Sequence, residues 1–239
     1  MQKRFFSVLI ALCAFVAVQA QTADDILAKY FEATGGLKKW TELKSSKMTG
    51  VMSMQGMEFP GTIYSAAPNK QKVEVSVQGQ NIVQAYDGET AWWINPFANA
   101  LEAQKMPAEM SEEMVKQKFE SEFINYKDKG HTVELEGKET IEGTEAWKIK
   151  LTKKGGDVEY HFFDTEYNVP IMMRTAISNG PMKGQNADTF MSDYQEVEGM
   201  MFPFFIESKV GGESAQKITI KTVELNGKYD DAFFAFPKK

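Results

Sequence analysis

Across residues 47–94, apolar and polar positions alternate one for one: Met48, Gly50, Met52 and Met54 against Lys47, Thr49, Val51 and Ser53, then Val73, Val75 and Val77 against polar partners. A period of two predicts strands with one face in a core and the other toward water. Turn chemistry at Gln55-Gly56, Ala67-Pro68-Asn69, Gln78-Gly79 and Asp87-Gly88 divides the run at short intervals, as in a meander of antiparallel hairpins. Further strands are predicted over 132–136, 145–152, 158–164, 171–178, 187–196, 204–210 and 215–225. No strand–helix–strand rhythm interrupts them.

The helical period appears in three places. Over 23–34, Ile26, Leu27, Tyr30 and Phe31 share one face, Thr22 is placed to cap, Asp24 and Asp25 fill the first turn, and Gly35-Gly36 stops the helix. A short second piece over 37–43 completes a helical hairpin. Over 107–121, Met110, Met114, Val115 and Phe119 face one way, with Glu109, Glu112, Glu113, Lys116 and Lys118 around the rest. This amphipathic segment is expected to be a mobile cover. A short aromatic turn, 230–237, is expected to tuck against one end.

Ten or eleven antiparallel strands in one domain accumulate twist until the sheet curls. The expected fold is therefore mainly β, a single strongly curved sheet with the N-terminal and mid-chain helices on its concave side.

The first residues follow a different pattern. Lys3 and Arg4 precede an apolar run over 5–18 and the small-residue boundary Val18-Gln19-Ala20, which reads as a secretory signal peptide over 1–20. One domain over 21–239 and a periplasmic location follow. Cys13, the one cysteine, lies in the apolar run, and Leu12 before it disfavours lipid anchoring there. The mature chain thus has no disulfide and no thiol nucleophile. Taking Lys3 and Arg4 from the 27 basic residues leaves 25 against 33 acidic ones, a balance of −8 that argues against nucleic acid as a partner.

Catalytic signatures are missing. His131 and His161 are the only histidines and neither has a second ligand at metal spacing; His161 is expected to face solvent from its strand. There is no Gly-x-Ser-x-Gly elbow, no phosphate-binding glycine loop, and no carboxylate pair that stands out from the surface charge. No cofactor or metal is expected, and a binding protein is preferred over an enzyme. What does stand out is 14 methionines and 17 phenylalanines. Methionine adapts to ligands of varied shape. Met48, Met52, Met54, Ile63, Val75, Trp92, Trp93, Met110, Met114 and Phe119 are the expected lining of an apolar cavity. Adjacent Trp92 and Trp93 must point to opposite faces of a strand.

The helix directly after the signal, the segment Tyr86-Asp87-Gly88-Glu89-Thr90-Ala91-Trp92-Trp93-Ile94-Asn95-Pro96, the segment Val197-Glu198-Gly199-Met200-Met201-Phe202-Pro203 and the closing Phe236-Pro237 occur in an order that resembles the LolA/LolB-like superfamily of periplasmic lipoprotein carriers. The resemblance implies a half-open β-barrel around helices, a cavity for acyl chains of lipoproteins or other lipids, and an inner-membrane donor and outer-membrane acceptor as partners. Family carriers hold a lid shut with an arginine on an early strand. The only arginine after the signal peptide is Arg174 on a late strand, so neither that lock nor lipoprotein cargo carries over residue by residue. A periplasmic lipid sensor and a hydrolase are the alternatives, the latter opposed by the missing nucleophile motif.

Overall fold

A computed structural model describes residues 21–237, so the signal-peptide reading, including Lys3, Arg4 and Cys13, lies outside the described residues. Helix α1 (Ala23–Ala33) opens on a capping box: the Thr22 hydroxyl accepts from the Asp25 amide at 3.2 Å, and the Thr22 amide donates to the Asp25 carboxylate at 2.9 Å. Its buried residues are the four the spacing predicts, Ile26, Leu27, Tyr30 and Phe31. Gly35 and Gly36 take positive φ of 109° and 96°, and helix α2 (Leu37–Glu42) follows.

The strands are β1 (Ser45–Met54), β2 (Met57–Ala66), β3 (Lys70–Val77), β4 (Gln80–Tyr86), β5 (Ala91–Asn95) and β6 (Ala100–Lys105), then β7 (Thr132–Ile141), β8 (Thr144–Thr152), β9 (Val158–Asp164), β10 (Pro170–Ala176), β11 (Asn186–Val197), β12 (Met200–Val210) and β13 (Glu213–Leu225). All thirteen form one antiparallel sheet in the order β6-β5-β4-β3-β2-β1-β13-β12-β11-β10-β9-β8-β7. Two meanders therefore meet where β1 pairs with β13. The two outermost strands, β6 and β7, do not pair with each other, and the sheet is a half-open barrel. The count exceeds the expected ten or eleven. Strand β6 has no alternation to reveal it, because its Leu101 is 75% exposed while Ala100 beside it is buried.

One connection is not between neighbours. Residues 106–131 run from the β6 edge to the β7 edge, across the face that carries α1 and α2, called inner below. Helix α3 (Ala108–Lys116) occupies the start of this crossing and ends earlier than the amphipathic pattern over 107–121 predicts. The reason lies in tertiary contacts: the Phe119 amide donates to the Pro68 carbonyl at 3.2 Å, and the Phe119 ring joins the core formed by Leu43, Met200, Phe202, Phe204 and Ile220. The chain turns inward instead of continuing as helix.

Register assigns the faces. Met48, Ile63, Val73, Gln84 and Trp93 form one cross-strand row on the inner face, and Lys47, Tyr64, Lys72, Ala85 and Trp92 form the adjacent row on the outer face. Helix α4 (Asp231–Phe234) packs on that outer row, with the Phe233 ring 4.9 Å from Tyr64. At the junction of the meanders Gly50 is required by close approach, since a Cβ there would lie 2.2 Å from the Thr219 carbonyl oxygen.

Candidate functional site

The helical hairpin is locked against the sheet by close approach and hydrogen bonds. A Cβ on Gly35 would sit 2.4 Å from the Gly199 carbonyl oxygen, so only glycine lets the hairpin approach the β11–β12 turn this closely. Lys39 Nζ donates to the Glu198 and Gly199 carbonyls, each at 3.0 Å. The Trp40 indole donates to Thr34 Oγ1 at 3.0 Å, and that hydroxyl donates to the Tyr30 carbonyl at 2.8 Å. Trp40 is thereby fixed with its ring 5.5 Å from Phe202. These two rings form the floor of the candidate site.

Above them lies a cavity of about 240 Å³ between α2, the inner face of β1–β3 and the crossing segment. Its apolar lining is Trp40, Leu43, Met48, Met114, Phe119 and Phe202. Its polar lining consists of Ser46, Ser65, Asn69, Lys70, Gln71, Gln117 and Lys118. A larger concavity of about 420 Å³ lies over β1–β4, and its lining includes Thr49, Thr62, Glu74, Asn81 and Lys221; it is too polar for a long apolar ligand.

Of the residues expected from sequence, Met48, Met114 and Phe119 come together in this cavity. Ile63, Val75 and Trp93 lie on the inner face beyond its lining, and Met52, on the same face, is only 8% exposed. Met54 at the β1–β2 tip and Met110 on α3 are 48% and 53% exposed and stand outside it. Trp92 is a correction. It lies on the outer face, where its indole donates to the Phe234 carbonyl at 2.8 Å, and its burial is core packing beneath α4. Sequence reasoning passed over Trp40, Leu43 and Phe202. The first two continue the apolar stripe of the second helical piece; Phe202, which arrives from β12, stands in the 197–203 segment that carries the family resemblance, but its spacing does not mark it as cavity lining.

The charged groups of the inner face fasten the crossing segment. Tyr126 Oη and Lys127 Nζ both reach the Asp24 carboxylate, at 2.7 and 2.9 Å, and Lys129 pairs with Glu120 at 2.8 Å. His131 Nδ1 accepts from the Lys154 amide at 3.0 Å, which leaves Nε2 to face Glu122 at 3.2 Å. His161 does not face solvent as expected. It is part-buried with its ring 4.7 Å from Phe123, and its Nε2 lies 3.1 Å from Glu159. Burial pushes the Glu159 carboxyl up, but hydrogen bonds from His161 and Lys153 outweigh it and hold the pKa at about 2. Arg174 is on the outer face in a two-pronged pair with Asp188, both contacts 2.7 Å, and locks no lid over the cavity.

Three solved structures share this architecture over nearly their whole length. A LolA superfamily protein from Nitrosomonas europaea aligns with 90% of this chain and 98% of its own, at 13% identity and a TM-score of 0.56. The fold is that of the LolA superfamily. A domain assigned to outer membrane lipoprotein sorting, from Vibrio parahaemolyticus, gives 11% identity over 88% of this chain and 94% of its own, with a TM-score of 0.56. A DUF1329 family protein from Desulfovibrio piger gives 14% identity over 88% and 97%, with a TM-score of 0.55. No family model matches the sequence, and no curated protein matches it. At these identities the LolA-like likeness lies in the fold alone.

Proposed function

We propose that the chain is a periplasmic, non-catalytic carrier that holds a lipoprotein acyl moiety or another long apolar ligand between its inner sheet face and the crossing segment, in the sorting of lipids or lipoproteins toward the outer membrane. The observation that carries this reading is the cavity walled by Trp40, Leu43, Met48, Met114, Phe119 and Phe202. Burying one acyl methylene contributes about 0.8 kcal/mol, so ten of them supply about 8 kcal/mol before the costs of ordering are subtracted. Retention then needs no strong polar contact. The LolA-like fold supports the reading, and so does the neighbour assigned to lipoprotein sorting.

Two further parts of the proposal follow from the sequence: cleavage after Ala20, which makes Gln21 the first mature residue, and a donor and an acceptor protein at the two membranes. Native mass spectrometry of the protein purified from its own periplasm tests the carrier role. The expected spectrum has a mature mass beginning at Gln21 and a second peak raised by a lipid. A protein that carries no lipid after gentle purification, and takes up none from mixed vesicles, is not a carrier.

A further inference from the structure

The polar lining of the cavity is selective in charge. The whole chain has 33 acidic residues against 27 basic ones, yet among the described residues no carboxylate lines the cavity. Two lysines are among its lining residues, with side-chain amides and hydroxyls beside them. Lys70 is already committed, since its ammonium pairs with Asp231. Lys118 is exposed at the rim and, among the described residues, has no ion-pair partner. It lies four positions after Met114 on the crossing segment, so one stretch of chain supplies both apolar wall and free cation.

Size adds a second constraint. At about 240 Å³ the cavity falls below the range of about 300–1,000 Å³ that holds drug-sized ligands. That is room for one tail and not for several side by side. We infer that the cavity takes a single-tailed anionic amphiphile, a long-chain carboxylate, with its tail against Met48, Met114 and Phe119 and its head at Lys118. Neutral lipids of the same length lose only the head contact. This rests on the carrier reading and narrows its ligand class.

An exposed ion pair contributes at most about 1 kcal/mol, which corresponds to about fivefold in affinity. The test titrates the purified mature protein with oleate and with oleyl alcohol, each displacing a fluorescent fatty acid. Oleate is expected to bind about threefold to fivefold more tightly at low salt, with the advantage shrinking as salt screens the head. Lys118→Gln should remove that advantage by weakening oleate more than oleyl alcohol, and Met114→Glu should weaken both ligands at least tenfold in a protein that still folds by circular dichroism. Equal affinities for the two ligands, or a Lys118→Gln variant that keeps the preference, would overturn the inference and leave the carrier standing. If neither ligand binds the wild-type protein, the carrier reading falls with it.

Discussion

The two meanders of the sheet are built from similar alternating strands and are buried very differently. In the second meander, β8 and β9 contain six buried residues, Ala146, Ile149, Leu151, Phe162, Phe163 and Asp164. In the first, β2 and β3 contain none; Ile63, Val73, Val75 and Val77 are all half-buried. The cause is coverage. Helix α1 and the Phe123-Ile124 corner of the crossing segment fill the inner face of the second meander, and on the outer face Phe162 and Met172 are roofed by long side chains, with Arg174 5.9 Å over the Phe162 ring. Over the first meander only α2, α3 and Phe119 reach in, and the 240 Å³ cavity remains. One half is a solid core that carries stability, and the other leaves apolar surface only partly covered.

This contrast can be broken most sharply by truncation. Phe163→Ala should cost about 3–5 kcal/mol in urea unfolding, because its site is closed on all sides, whereas Val75→Ala should cost about 1 kcal/mol. Similar losses at the two positions would show that the first meander is as solid as the second. Within the first meander, Met52 and Met54 share one strand face but are 8% and 48% exposed. Met52→Glu should therefore destabilise by several kcal/mol, while Met54→Glu should stay within about 0.5 kcal/mol. A folded, stable Met52→Glu protein would mean that the open surface extends further down β1 than its burial indicates.

The smallest effect concerns a charge cluster within the second meander, where Glu159 meets His161 and Lys153. Glu159, held at about 2 against an ordinary 4.5, stabilises the folded chain above the ordinary carboxylate range and loses that contribution as pH falls from about 4.5 toward 2. Glu159→Gln should lower Tm by about 3 °C at pH 7, and the difference from wild type should vanish near pH 2. A difference that persists at acid pH would assign the loss to packing and not to charge.

Much of this arrangement is legible in the chain. The capping box of α1, its four buried residues, the hairpins of β1–β5 and the opposite faces of Trp92 and Trp93 all follow from spacing over a few residues. Spacing does not reveal which tryptophan faces in. That depends on α4 arriving from the far end of the sequence to roof Trp92. The end of α3 is similar: the amphipathic stripe continues to Phe119, but the Pro68 carbonyl and the Phe202 core turn the chain inward before the stripe runs out.

The sequence by itself determined most of the elements, though not β6 or the end of α3, because strand and helix periods are set by backbone geometry and read within one turn or one hairpin. Only the tertiary structure decided which apolar surface would be covered. Met48, Trp40, Met114 and Phe202 come from four separate elements, and their meeting depends on Gly35 letting the helical hairpin press against Gly199 and on one long crossing from edge to edge. Burial of this kind is a property of pairs of elements distant in sequence, and no local pattern encodes it.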